Sequence, residues 1–147
     1  MNLEKVVFGF FIVMSLTLNF GFFWGDIDNP EHHHVYELMA AIFVNLVATV
    51  LKFGDRSQVG AVLLATSLAA DLLLITAALV WGMALYVEPS TMTAMDAMTT
   101  MLNSDANTAH TLSPEEVASI VSLSGGALLA NIISVLLLVI ETVMLRR

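Results

Sequence analysis

The 147-residue chain contains no cysteine. That excludes disulfides, iron–sulfur clusters, thiolate metal sites and cysteine nucleophiles together. Charge is the next scarcity. Asp, Glu, Lys and Arg make up 12% of the residues, where a soluble domain of this size carries about a quarter. Basic residues number only 5 against 13 acids, and they form no patch suited to nucleic acid. The chain has no phosphate-cradling glycine loop, no HExxH, no GxSxG and no CxxC. The paired glycines Gly125 and Gly126 fall inside a helical run, where they allow close packing. An enzyme is therefore not expected.

Hydrophobic residues make up 58% of the sequence, with a mean hydropathy of +0.85. They gather into four runs long enough to cross a bilayer core, which takes roughly 20 helical residues. The predicted architecture is all-α, a single four-helix transmembrane domain over 1–147 with helices near 3–24, 35–53, 57–86 and 116–145. The first run is too long for a signal-peptide core and its flank GDIDNP lacks a small-x-small cleavage pattern, so it reads as a retained helix. Asn29-Pro30 looks like a cap and first helical position, starting the second helix near Pro30. Ser113-Pro114-Glu115-Glu116 looks like a capping box opening the fourth. Residues 87–113 read as a loop with a short surface helix carrying Met92, Met95, Met98 and Met101. Packing or interfacial burial accounts for that stripe better than Cu(I) ligation does.

All basic residues fall at one end of such a bundle: Lys5, Lys52, Arg56, Arg146 and Arg147. The opposite connections hold Asp26, Asp28, Glu31, Glu88, Asp96, Asp105, Glu115 and Glu116 with no Lys or Arg. The positive-inside rule then places both termini in the cytoplasm.

The third run, from Ser57 to Tyr86, carries Asp71 near its middle as its one ionisable side chain short of Tyr86. A carboxylate at that depth costs at least about 2.5–3.5 kcal/mol and needs a partner, a proton or water. Gly60, Ser67, Asp71, Ala78 and Gly82 form a narrow stripe on this helix. At 100° per residue, Asn45 lies about 80° and Lys52 about 60° from Glu37 on helix two, with Ala41 and Ala48 in the same sector. Helix four shows Ala127, Ala130, Asn131, Ser134 and Glu141 on one side. On helix one, Ser15 and Asn19 share a face. Small-and-polar faces belong inside a membrane bundle rather than against lipid.

These positions predict a polar layer of Asp71, Asn45, Asn131, Ser67 and Ser134 near the midplane. One reading is an ion pathway in which Asp71 supplies the charge and the Asn residues supply oxygens, a donor set suited to hard cations. The other is a hydrogen-bonded Asp71 acting as helix glue. At the inner end, Lys52 and Glu141 are expected to pair. At the outer end, His33 and Glu37 with Asp26, Asp28 and Glu31 suggest either a divalent-metal site or attraction of cations to the surface. A solvated polar loop is the favoured reading of the metal cluster. An EF-hand is rejected because Pro30 and Glu31 occupy its fifth and sixth positions.

In NFGFFWGDIDNPEHHHVYEL and NLVATVLKFGDRSQVGAVLLATS the chain resembles a small, uncharacterised four-span inner-membrane protein family of proteobacteria, over roughly residues 1 to 85. The resemblance implies a bacterial inner membrane and carries over no functional residue. The leading expectation is an oligomeric cation channel or transporter using Asp71. The alternative is a non-transporting accessory subunit that docks on another membrane protein. No cofactor is expected beyond a bound cation, and the partners are the lipid bilayer and further copies of the chain.

Overall fold

A computed structural model describes residues 3–86 and 112–144. Its long helices are α1 (Leu3–Phe23), α2 (Val35–Lys52), α3 (Gln58–Tyr86) and α4 (Pro114–Met144). All four are long and apolar enough to cross a membrane, and the chain is a multi-pass membrane protein. The methionine stripe and the surface helix expected between α3 and α4 lie outside the described residues.

The helices pack α1 on α2, α2 on α3, α3 on α4 and α4 on α1, closing a ring. Buried positions follow a heptad-like spacing. On α1 they are Phe8, Ile12, Ser15, Asn19 and Phe22, alternating steps of four and three. On α3 they are Gly60, Leu63, Ser67, Ala70, Asp71, Leu74 and Ala77. A strict 3.5-residue period keeps one seam inward as helices wrap around each other. This corrects the stripe read from sequence on α3. Its 7-4-7-4 spacing has a longer period, so it agrees with the seam at Gly60, Ser67 and Asp71, leaves Ala78 at the seam's edge and drifts off it by Gly82. Gly82 would have no atom within 4 Å of an added Cβ, and Leu74 and Ala77 fill the core instead.

Lipid tails are as apolar as leucine, so burial of apolar surface does little to drive these helices together and close packing matters more. Alanines 41, 48, 70, 77 and 127 are buried at the contacts. The paired glycines of α4 serve the same end. A Cβ on Gly125 would come within 2.8 Å of the Phe23 ring, and one on Gly126 within 3.1 Å of Leu73. They admit α1 on one side and α3 on the other.

Local chemistry fixes the helix starts. At α4, the Ser113 N–H donates to the Glu116 carboxylate at 2.8 Å while the Glu116 N–H donates to the Ser113 hydroxyl at 3.3 Å, a reciprocal capping box. At α3, Ser57 accepts the Gly60 N–H at 2.9 Å. The second helix does not start at Pro30. Residues Pro30–His32 form one 3₁₀ turn, with the Asn29 side chain accepting the Glu31 N–H at 3.0 Å. The backbone then breaks so that His33 turns into the bundle, and α2 begins at Val35.

Candidate functional site

Ser15, Asn45, Asp71 and Asn131 each lie within two residues of the midpoint of their own helix, and all four are buried. One hydrogen-bonded chain joins them. Asn45 Nδ2 donates to Asp71 Oδ1 at 2.7 Å and, less closely, to the Ser67 carbonyl at 3.3 Å. The Ser15 hydroxyl donates to Asn45 Oδ1 at 2.8 Å. Asn131 Nδ2 donates to Ser15 Oγ at 3.2 Å. Every long helix contributes one member.

The direction of this chain is forced. A carbonyl oxygen only accepts, so the Ser67 carbonyl holds the Asn45 amide with its nitrogen toward α3. Asn45 Oδ1 must then receive a proton, and the Ser15 hydroxyl has one to give. Ser15 is thereby left to accept from Asn131. The sequence of donors ends at Asn131 Oδ1, which is buried and has no hydrogen-bond partner among the described residues. Ser67 Oγ is buried and without a partner in the same way.

The second carboxylate oxygen faces α2 again. The Thr49 hydroxyl lies 2.6 Å from Asp71 Oδ2. Both oxygens thus have a side-chain donor and keep lone pairs to spare. A hydrogen bond between membrane helices is worth about 0.6 kcal/mol on average and up to about 1.7. At the average value two of them offset only part of the roughly 2.5–3.5 kcal/mol that an aspartate costs at a helix centre. Asp71 is therefore the point in the core where added positive charge has the most to stabilise.

Toward the acidic end, Asn19 and Ser124 bond each other, and beyond them comes a thick apolar cluster including Phe22, Leu38, Leu74, Ala77, Val117, Ile120 and Val121. Toward the basic end, Thr66 and Ser134 share a hydrogen bond of 2.6 Å, and the apolar layer thins to Phe8, Ile12, Ala48 and Leu63. Beneath it opens a cleft of about 450 Å³, lined among others by Lys5, Phe8, Lys52, Asp55, Arg56 and Glu141. On α2, Thr49 and Lys52 lie about one turn apart, so the polar seam steps from Asp71 down to this cleft.

The expected pairing of Lys52 with Glu141 does not form. Glu141 meets Lys5 at 2.9 Å, and Lys52 meets Asp55 at 3.1 Å. The reason is reach within the turn. Asp55 is three residues from Lys52, whereas Glu141 is on α4, which contacts α1. The Lys52 ammonium also sits 4.2 Å over the Phe8 ring. The backbone N–H of Ser57 is the main cause that lowers the Asp55 pKa to about 2, followed by the Ser57 side chain; burial opposes them, and Lys52 adds a smaller lowering.

At the acidic end, no group of three metal-ligating side chains assembles among the described residues. Asp26, Asp28 and Glu31 are exposed and Glu37 is half-buried, and His33 is already engaged. Its Nδ1 lies 2.6 Å from the Phe22 carbonyl and its Nε2 lies 3.0 Å from the Asp26 carbonyl, so both ring nitrogens are turned to backbone carbonyls and away from any metal. The ring instead ties the end of α1 to the start of α2, satisfying a carbonyl that the helix terminus leaves open. His33→Ala is expected to destabilise the bundle by about 2–4 kcal/mol, from a lost hydrogen bond to a backbone carbonyl and a lost buried ring. Thermal unfolding of the purified protein checks this, and added Zn²⁺ should shift the wild-type midpoint by nothing.

Ser15, Thr49, Lys5 and Asp55 belong to the site and its access and were not singled out for it by sequence. Thr49 had a signal: it lies four residues from Asn45 and three from Lys52 on one face of α2. The model of a family of unknown function matches the chain in two overlapping segments, residues 32–113 and 97–142. That range takes in α2, α3 and nearly all of α4, and it extends well past the residues 1 to 85 that carry the resemblance read from sequence. No curated protein and no solved structure matches.

Proposed function

As a member of the family of unknown function DUF6394, the chain takes no activity from its relatives, and we propose from its core geometry that it is a cation transporter of the bacterial inner membrane, with Asp71 binding and releasing the cation. The observation that carries this reading is a lone carboxylate at the middle of the bundle whose two oxygens face chemically different neighbours. Oδ1 faces an amide nitrogen that can only donate. Oδ2 faces the Thr49 hydroxyl, which donates to an ionised carboxylate and turns to accept from a protonated one. A proton taken up by Asp71 therefore resides on Oδ2. A metal cation would use the lone pairs that these bonds leave free.

Access is proposed from the basic end, where the thinner apolar layer lies between Asp71 and the cleft. The positive-inside rule makes that end cytoplasmic, and the exposed acids Asp26, Asp28 and Glu31 then serve to attract cations at the other face. All ligands come from one chain, so a homo-oligomer, which we retain as part of the proposal, is not needed to complete the site. The test is ion flux into liposomes holding the purified protein, with H⁺, Na⁺, K⁺, Mg²⁺ and Ca²⁺ tried in turn. Flux of one of them above empty liposomes is the expected result. No flux of any ion from folded protein would sink the proposal and leave the reading of an accessory subunit docked on another membrane protein.

A further inference from the structure

Two buried oxygens in the core have no hydrogen-bond partner among the described residues, the Ser67 hydroxyl and Asn131 Oδ1. An unpaired buried polar atom costs about 1–3 kcal/mol, and native cores carry few of them without an unseen water or ion. Their placement is not scattered. Ser67 stands one turn from Asp71 on the buried face of α3, and its own carbonyl accepts from Asn45. Asn131 reaches the same Asn45 through Ser15. The two orphans thus flank one cluster, drawn from α3 and α4, the pair of helices in the most extensive contact. Asn131 cannot relieve its orphan by flipping its amide. Ser15 has spent its one proton on Asn45, so only the nitrogen of Asn131 can face it.

We propose that Ser67 Oγ and Asn131 Oδ1 are ligands of a buried site for a small monovalent cation, with Asp71 as its counter-charge. The donor set is wholly oxygen, which suits hard cations and excludes soft ones. The charge count selects valence. Asp71 is the only carboxylate in the cluster, and it balances one positive charge. A divalent ion would leave a net charge in a medium where an uncompensated charge is expensive. This inference deepens the transport reading of Asp71 and rests on it for the counter-charge.

The experiment is thermal unfolding of the full-length purified protein in NaCl, LiCl, KCl, choline chloride and MgCl₂ at matched ionic strength. Na⁺ or Li⁺ is expected to raise the midpoint above choline, by about 5–10 °C at a hundredfold excess over Kd. Ser67→Ala is the deciding variant, because it removes an unpaired hydroxyl and nothing else that the structure uses. If Ser67 Oγ were a mere orphan or held only a water, its removal would leave midpoints equal in every salt, before and after. As a ligand, its removal should abolish the Na⁺ shift while leaving the choline midpoint unchanged or higher. Equal wild-type midpoints in all the salts overturn the proposal. So does a shift that survives in Ser67→Ala, which places the ion elsewhere, or one produced by Mg²⁺ alone. Liposome flux separates this proposal from the transport reading. Proton flux without a Na⁺ shift sinks the site and spares transport, whereas a Ser67-dependent shift without flux upholds the site and sinks transport.

Discussion

Asp71→Asn should reduce cation flux to that of empty liposomes while the bundle stays folded. Carboxamide and carboxylate have nearly the same shape, so the substitution isolates charge from packing. The new side chain can remake both contacts. Its oxygen accepts from Asn45, whose amide is held in orientation by the Ser67 carbonyl. Its nitrogen donates toward Thr49, whose hydroxyl turns to accept. Folded stability should therefore change by less than about 1 kcal/mol. It should rise rather than fall, because the variant no longer carries a carboxylate into the core. Flux depends on the charge, or on the proton that replaces it, and neither survives in the amide. The measurement is flux at equal incorporation, with thermal midpoints recorded beside it. Undiminished flux from the variant would remove Asp71 from the pathway and with it the proposed mechanism.

Much of the architecture could be read from the chain alone, because bilayer thickness and the distribution of charge are strong, local constraints. Helix bounds read from hydropathy differ from the observed ones by at most two residues, although the cap signal at Asn29-Pro30 put the start of α2 five residues too early, and Lys5, Lys52 and Arg56 do line one cleft. Asp71 and Asn45 also stood out, since polar side chains are rare at that depth. What could not be read was rotation and partner choice. The 7-4-7-4 stripe on α3 was right at Gly60, Ser67 and Asp71 and wrong at Gly82, because supercoiling turns the seam gradually along a long helix. Ser15, noted only for sharing a face with Asn19, and Thr49 were not placed in the polar layer, because short hydroxyl side chains are ordinary in membrane helices, where they bond back to their own carbonyls, as Thr17, Thr76 and Thr142 do here. Only tertiary contact separates these from Thr49. His33 failed for a related reason. A run of three histidines beside acids reads first as a solvated polar loop and second as a metal site, and nothing local reveals that two backbone carbonyls will claim one ring.

A large loss of stability should come from Asn45→Leu, and the pattern of its rescue tests how the core is wired. Leucine branches at Cγ as asparagine does but is bulkier, and the overpacking this brings is present with either residue at position 71. Three partners lose Asn45 together, but not equally. The Ser15 hydroxyl can bond back to a carbonyl in its own helix, and the Ser67 carbonyl is already within a helix. Asp71 has no such recourse. Its Oδ1 is left without a donor in a buried, apolar setting, with only Thr49 on Oδ2. Removing one partner of a buried charge costs far more than the pair itself contributes, by about 3–5 kcal/mol in soluble cores. An ordinary hydrogen bond between membrane helices would cost only about 0.6 kcal/mol. The wide gap between those two figures makes the experiment decisive. A loss of about 2–4 kcal/mol is expected for Asn45→Leu, measured by unfolding of the purified protein. Adding Asp71→Asn should recover more than half of it, since the charge that Asn45 served is then gone. A double-mutant cycle reads the coupling directly. Additive losses would mean that Asn45 holds the helices together without serving the carboxylate, and the chain from Asn131 to Asp71 would then be structural rather than part of a cation site.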